Sequence, residues 1–518
     1  MTHSLPKKPS ISLLKKQAKK LLKQVREGQP DALEFVSSNH PKPNTFAGLR
    51  DAQLVIARSY NFPGWVELSK AVEIAQDAAR NLADKSTLFI QLGCVQYSGN
   101  DTLRNYKRAR RLLASFPDIA QFSFFTALVA NNAKAVRKHL ESDSRLATSS
   151  GGPLGWPPIL YAIYSRIGEP EGTMHSLSIV SQLLEYGASA DSHLMLDGTY
   201  RFTALTGAMG EGEQGVNQPP HQYSDEMAAV LLDAGANPND EQGLYNTMFT
   251  DSGDKWLALL ISRGLKVDDP LNWNDPNRAA HTSTLDFQLS SAVDTNRASR
   301  VKMLLNAGAN PNARSNYNGK AIHTNALLAG HAEITQLLNQ AGALVEDLDF
   351  RDQFQIACVQ ENDQIFTSLL DAHPELKNDS TLLHAAAENA SDRVVMELIS
   401  LGFDVNGQSK HGRTLLHSYA LKNDTARIKD LLHLGARTDI LDTSHNSSAA
   451  GFAAYAACYD TMRVLLDSHD SLLDVACCAY LERAKAIVKK TPASIGHRTE
   501  RGNSVLHIIG AWLHEEPE

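Results

Sequence analysis

The chain has 518 residues, a formal net charge of −8, 42% hydrophobic and 7% aromatic residues, and five cysteines. That apolar fraction can fill a core, which excludes wholesale disorder, and the acidic total excludes a protein that coats nucleic acid along its length. There is no apolar run near the roughly 18 residues of a membrane span, no secretory h-region behind the basic N-terminus and no CxxC, so the expectation is a cytoplasmic protein with reduced thiols.

Residues 1–82 open with a helical stripe, Leu14, Ala18, Leu21 and Val25, which step by four, three and four. Lys15, Lys16, Lys19, Lys20 and Lys23 fill the rest of that helix. Further helices are expected at about 46–60 and 63–79, since Asn61 tolerates left-handed backbone and Pro63 suits a helix start. Residues 1–26 hold seven lysines and Arg26 with no acid, a local +8, which leaves 42 basic against 58 acidic side chains, or −16, for residues 27–518. Three readings stand for the basic helix. It is the solvated face of a small domain, a surface for a membrane or anionic partner, or a nucleic-acid arm joined by Arg104, Lys107, Arg108, Arg110 and Arg111. The first is preferred, because Pro63-Gly64-Trp65 would open a recognition helix with residues poor at reading base edges.

Residues 83–518 carry an internal repeat. A Leu-Leu pair followed by Gly-Ala recurs: Leu183-Leu184 before Gly187-Ala188, Leu231-Leu232 before Gly235-Ala236, Leu304-Leu305 before Gly308-Ala309, Leu337-Leu338 before Gly342-Ala343, and Leu431-Leu432 before Gly435-Ala436. Counting weaker copies, the second member falls at 305, 338, 370, 399, 432 and 466, in steps of 33, 32, 29, 33 and 34. Each pair reads as the apolar face of a helix, and each glycine as its left-handed close. A second marker opens the units: Thr381-Leu382-Leu383-His384, Thr414-Leu415-Leu416-His417, Ala321-Ile322-His323 and Ser504-Val505-Leu506-His507. Degenerate copies around Leu112-Leu113, Leu140 and Ile487-Val488 bring the total to about twelve units. Extra length falls at 168–175 and 210–224, between helices and on the edge away from the fingers. A third insertion at 269–281 enlarges a finger.

These units resemble the ankyrin repeat, whose opening T-P-L-H-x-A and closing L-L-x-x-G-A they follow. The resemblance implies an all-α solenoid of helix pairs with β-turn fingers. The string from Asp51 to Trp65, the opening Leu14–Leu22, Gly151–Trp156, Tyr164-Ser165-Arg166 and Gln218-Pro219-Pro220-His221 are similar to a group of bacterial ankyrin proteins with an N-terminal helical module. That group implies a bacterial cytosolic protein and supplies no activity.

Motifs for chemistry fail on context. Gly210–Gly215 spells G-x-G-x-x-G, but a helix precedes it and Glu211 and Glu213 would repel a pyrophosphate. HExxH, CxxC, HxH and a P-loop are all absent, and His323, His384, His417 and His507 take the family's finger-stabilising place. The expectation is a monomeric, non-enzymatic binder without metal or cofactor, whose protein partner presents a neutral or basic surface. A membrane- or nucleic-acid-associated regulator and a secreted bacterial effector are the alternatives. Candidate partner contacts are Trp156, Tyr161, Tyr164, Arg166, Arg201, Phe202, His221 and Tyr245, near the insertions. For Tyr161, Tyr164 and Phe202 the rival reading is inter-repeat core. Trp156, in a Gly/Pro-rich finger, is the expected exposed anchor.

Overall fold

The computed structural model describes residues 5–6, 9–250, 253–266, 283–315, 317–467, 471–478, 480–496, 498 and 505. The insertion at 269–281 and the last opening marker, apart from Val505, lie outside them. The chain divides into two compact units, Met1–Ala292 with Ser299–Gly319, and Val293–Ala298 with Lys320–Glu518.

The first unit begins with four helices, α1 (Ile11–Arg26), α2 (Pro30–Asn39), α3 (Leu49–Ser59) and α4 (Trp65–Ala78). Ser10 caps α1 by accepting the Leu13 N–H, and Leu14, Ala18, Leu21 and Leu22 face a core shared with Val55, Leu68 and Val72. Lys15, Lys16, Lys19, Lys20 and Lys23 are all exposed. Asn61 takes φ 66 between α3 and α4, as its place between two apolar stripes requires. Helix α2 has no counterpart in the sequence reading, because only Ala32 and Val36 of its ten residues are buried and no stripe emerges.

Helix pairs follow. In the first unit they are α5 (Leu82–Gly93) with α6 (Leu103–Ser115), α7 (Phe124–Val129) with α8 (Ala133–Ser142), and α9 (Pro158–Ile163) with α10 (His175–Glu185). A hairpin of β1 (His193–Leu196) and β2 (Tyr200–Thr203) then precedes α11 (Ala204–Met209) with α12 (Ser224–Asp233). Its antiparallel register sets His193 opposite Thr203 and Leu196 opposite Tyr200. Next come α13 (Glu241–Asn246) with α14 (Gly253–Ser262), and α15 (Thr284–Asp294) with α16 (Ala298–Asn306), whose connecting turn clusters with the second unit. The second unit carries α17 (Ile322–Leu328) with α18 (Ala332–Gln340), α19 (Phe350–Val359) with α20 (Asp363–Ala372), and α21 (Ser380–Asn389) with α22 (Asp392–Ser400). It continues with α23 (Leu415–Leu421) and α24 (Thr425–His433), α25 (Ala449–Tyr455) and α26 (Tyr459–Asp467), and α27 (Leu472–Cys477) and α28 (Leu481–Lys490). The described residues thus hold twelve pairs.

The recurring residues act where the spacing predicts. Gly435 takes φ 88 just past α24, and the Ala436 N–H reaches the Leu431 carbonyl at 2.9 Å, closing the helix. Gly342 repeats this with Ala343 and Leu338. At the openings, His417 Nδ1 accepts the Thr414 N–H at 3.1 Å, while its Nε2 donates to the Ser447 carbonyl at 3.1 Å. His384 Nε2 donates to the Gly407 carbonyl at 3.0 Å. His323 departs from this, since its Nε2 pairs with Asn339 Oδ1 on α18 at 2.8 Å.

The α6 arginines are spent within the first unit. Arg104 and Arg111 bind the Glu73 carboxylate at 2.7 and 3.3 Å, and Arg108 binds buried Asp77 at 2.7 Å. Arg110 donates to the Ile167 and Arg166 carbonyls, both at 2.7 Å. Four of the five residues of the supposed second basic arm therefore dock α6 onto α4 and the segment after α9. Lys107 alone makes no such contact.

A Cβ on Gly435 would meet nothing within 4 Å, so only its backbone conformation is at stake. Gly435→Ala is expected to lower the unfolding free energy of the second unit by about 1 kcal/mol, read from urea denaturation by circular dichroism.

Candidate functional site

The insertions at 168–175 and 210–224 each lie between the two helices of one pair, α9/α10 and α11/α12. Each begins at a glycine with positive φ, Gly168 at 72 and Gly210 at 66. Gly210 is fixed twice over, because a Cβ there would lie 2.5 Å from the Pro220 Cα. Glu169 accepts from the N–H groups of His175 and Ser176 and from the Ser176 and Thr173 hydroxyls, which caps α10. Burial opposes the Glu169 charge, yet those bonds hold its carboxyl below the ordinary value.

The two insertions then pair with each other. Gln222 Oε1 accepts the Glu169 N–H at 2.9 Å, its Nε2 donates to the Glu169 carbonyl at 3.0 Å, and the Tyr223 hydroxyl accepts the Gly172 N–H at 3.2 Å. Gln218 Nε2 ties the second insertion to buried Asp101 at 3.0 Å. The G-x-G-x-x-G string is thus part of a loop held by amide side chains, with α11 before it.

Arg166 is 5% exposed and sits at the centre of this arrangement. Its Nε donates to the Pro219 carbonyl at 2.7 Å, Nη1 to those of Ile163 and Ser165 at 2.9 and 3.0 Å, and Nη2 to that of Gly207 at 2.8 Å. One guanidinium therefore joins the end of α9, α11 and the second insertion. His221 is 4% exposed and its Nδ1 accepts the Tyr223 N–H at 3.1 Å, so Nε2 carries the proton. Burial, with the charge of Arg166, pushes its pKa down to about 3. Arg166 and His221 line one cleft of about 280 Å³ with Tyr106, Lys107 and Arg110 of α6.

The expected aromatic anchors take other places. Tyr161 and Tyr164 are fully buried and Phe202 is 5% exposed, so the core reading holds for all three. The Tyr161 hydroxyl donates to the Gly151 carbonyl at 2.7 Å and accepts the Leu154 N–H at 2.9 Å, so it pins its own finger from inside. The Tyr164 hydroxyl donates to the Thr203 carbonyl at 2.7 Å. Trp156 is not the exposed anchor expected of it. It is half-buried, with ring centroids 5.5 Å from both Tyr161 and Tyr164, because its finger folds back over the α9 aromatics. Burial likewise removes Arg166 and His221 from the outer surface and makes them walls of a cleft.

Phe202 and Tyr245 line a second cleft of about 240 Å³ with Tyr97, Tyr200, Leu196 and Glu213. The hairpin supplies Leu196, Tyr200 and Phe202, and α13 supplies Tyr245. Tyr97, at φ 51, lays its ring 4.3 Å from that of Phe202, centroid to centroid. The Tyr245 hydroxyl donates to Glu213 at 2.5 Å, which bridges the second insertion to α13. Arg201 is half-exposed on the hairpin and bound to Asp191 at 2.7 Å. Tyr97 and Tyr106 escaped the sequence reading, since neither lies in a repeat marker or an insertion. Arg110 and Lys107 were visible only as part of a charge run. Among the described residues, no group of three or more His, Cys, Asp or Glu could hold a metal ion, and no helix is long and apolar enough to cross a membrane.

Residues 354–442, which span the three pairs from α19 to α24, match the family described as ankyrin repeats (3 copies). The chain is an ankyrin repeat-containing protein. Two curated proteins to which the chain is similar are the ankyrin repeat domain-containing protein SAT10 of Stachybotrys chartarum (strain CBS 109288 / IBT 7711) and the neurogenic locus notch homolog protein 2 of Homo sapiens. The first is 25% identical over 225 residues, 42% of this chain, and the second 30% identical over 159 residues, 31% of this chain. The chain spans 12% and 5% of those relatives' own lengths.

Two outcomes follow from the packing. A Cβ at Gly207 would lie 2.1 Å from the Tyr164 ring, which is buried and tethered. Gly207→Ala should therefore cost about 2 kcal/mol of stability, seen as a lowered urea midpoint. His221 is neutral in the fold and titrates near 6.5 when unfolded, so it favours the folded state above pH 6.5, and this is lost as pH falls toward about 3. Between those values it contributes a slope of up to about 1.4 kcal/mol per pH unit. His221→Gln should flatten the fall in thermal midpoint between neutral and mildly acidic pH relative to wild type.

Proposed function

We propose that the protein is a non-enzymatic scaffold that binds a protein partner through the cleft formed by the β1–β2 hairpin, the second insertion and α13. The observation that carries this is the lining of that cleft. Tyr97, Tyr200 and Tyr245 are half-buried around it, and tyrosines bring large apolar faces at low entropic cost. Glu213 at its rim and the −16 balance of residues 27–518 favour a partner with a neutral or basic surface. The reading extends to a bacterial cytosolic protein. Cys94, Cys358 and Cys458 are free thiols, which suits a reducing compartment.

The test is affinity capture with wild type and a Tyr200→Ala/Tyr245→Ala variant, with Tyr459→Ala, an exposed tyrosine of the second unit, as control. Specific partners should bind the double variant about tenfold more weakly or worse and the control normally. An unchanged set of partners would place recognition elsewhere.

A second reading rests on α1, whose lysines at 15, 16, 19 and 20 are exposed and make no ion pair, while Lys23 pairs only with Glu27 at 3.8 Å. An anionic surface would meet this face, with salt-sensitive affinity. Removing α1 would also remove Leu14, Ala18, Leu21 and Leu22 from the module core. Changing the five lysines to glutamine is the cleaner probe. Association with anionic-lipid vesicles at low salt should disappear in that variant, and its absence in wild type would end this reading.

A further inference from the structure

The cleft between α6 and the paired insertions is separate from the proposed partner cleft and has the opposite polarity. Its first unusual feature is Arg166. Four of its five N–H groups go to backbone carbonyls, and no carboxylate lies within hydrogen-bond distance of it. Carbonyl dipoles solvate a guanidinium but carry no compensating charge, and a buried cation without a counter-charge is costly.

The neighbouring groups add to that charge. Arg110 also donates only to carbonyls, those of Ile167 and Arg166. Lys107 is exposed, lines the cleft and makes no ion pair or hydrogen bond. His221 Nδ1 is taken by the Tyr223 N–H, so the proton sits on Nε2, which meets no acceptor among the described residues. Glu169 is the one carboxylate in the lining, and its oxygens already accept four hydrogen bonds that cap α10. Three cations therefore face one carboxylate whose acceptor capacity is used, in a chain that is acidic as a whole. In the same wall, buried Asn131 Oδ1 accepts no hydrogen bond, which suits a donor on the body of a ligand and not its oxyanion.

We propose that this cleft binds the oxyanion, phosphate or carboxylate, of a small free molecule. Arg166 and Arg110 supply fixed positive charge, the His221 N–H a neutral donor, and Lys107 a mobile ammonium at the mouth. At about 280 Å³ the cleft exceeds the oxyanion alone and leaves room for a short organic body. Because Glu169 and Gln222 tie both insertions at its edge, an occupant would brace them together.

The test is isothermal titration of the full chain at low ionic strength with inorganic phosphate and, separately, succinate. Arg166 and Arg110 hold the fold together, so the variant is Lys107→Glu, with Lys302→Glu on α16 as a control of equal charge change. One-to-one binding of either anion, weakened about tenfold or more by Lys107→Glu and little by Lys302→Glu, is the expected result. Phosphate alone would identify a phosphorylated ligand and succinate alone a carboxylate. No binding of either at millimolar concentration, or equal weakening by both variants, would overturn the proposal. The outcome is independent of the Tyr200→Ala/Tyr245→Ala capture, which reads the other cleft.

Discussion

A helix of six or seven residues is too short to hold itself together in water, and most first helices of these pairs are of that size. Helices α7, α9, α11 and α13 have six residues each, and α17, α23 and α25 have seven. Nucleating a turn costs more than so few hydrogen bonds return, so packing must hold them. Ile159, Leu160, Tyr161, Ala162 and Ile163 of α9 are all fully buried, which leaves that helix no solvent face. The arrangement of each pair is therefore a property of its neighbours within the unit. Caps such as Ser123 with Thr126 and Thr203 with Thr206 fix where these helices start.

Polar groups inside the first unit decide what is built on that base. Asp240 is 4% exposed, and its carboxylate accepts from the Thr203 and Thr206 hydroxyls and the Gly243 N–H, which locks β2, α11 and α13 to one another. Burial raises its pKa while those bonds oppose the rise. Asp101 accepts from the N–H groups of Gln96 and Ser98 and from Gln218. Arg166 does the same work with the sign reversed. The insertions are thus anchored by buried charge, and a loop anchored so can present a cleft of fixed shape.

The repeat was legible in the sequence because its causes are local. A left-handed close demands glycine, an apolar face demands leucines in pairs, and a capped opening demands threonine with histidine three residues on. The positions of the insertions were legible for the same reason, as breaks in a known period. Their pairing was not, since Glu169 and Gln222 are 53 residues apart. The candidate site was read in part. Arg166, His221, Phe202 and Tyr245 line clefts, but composition could not separate a tyrosine that lines a cleft from one, like Tyr164, that fills the core. Trp156 misled because a Gly/Pro-rich finger suggests exposure, whereas this finger folds back over α9.

The turn inside four of the pairs, α7/α8, α19/α20, α23/α24 and α25/α26, carries a device of its own. Asn131, Glu361, Asn423 and Ala457 all take positive φ between the first helix and the second. One bond recurs beside them: the N–H groups of Asn132, Asn362, Asp424 and Cys458 reach the carbonyls of Ala127, Ala357, Tyr419 and Ala453. The bond seals the first helix before the chain moves on, so nothing downstream of it is needed for that helix to end. Lengthening the chain after this seal leaves both helices intact, and loop closure grows costlier only slowly with length. The turn at Asn423 is thus a place where a foreign recognition loop could be grafted.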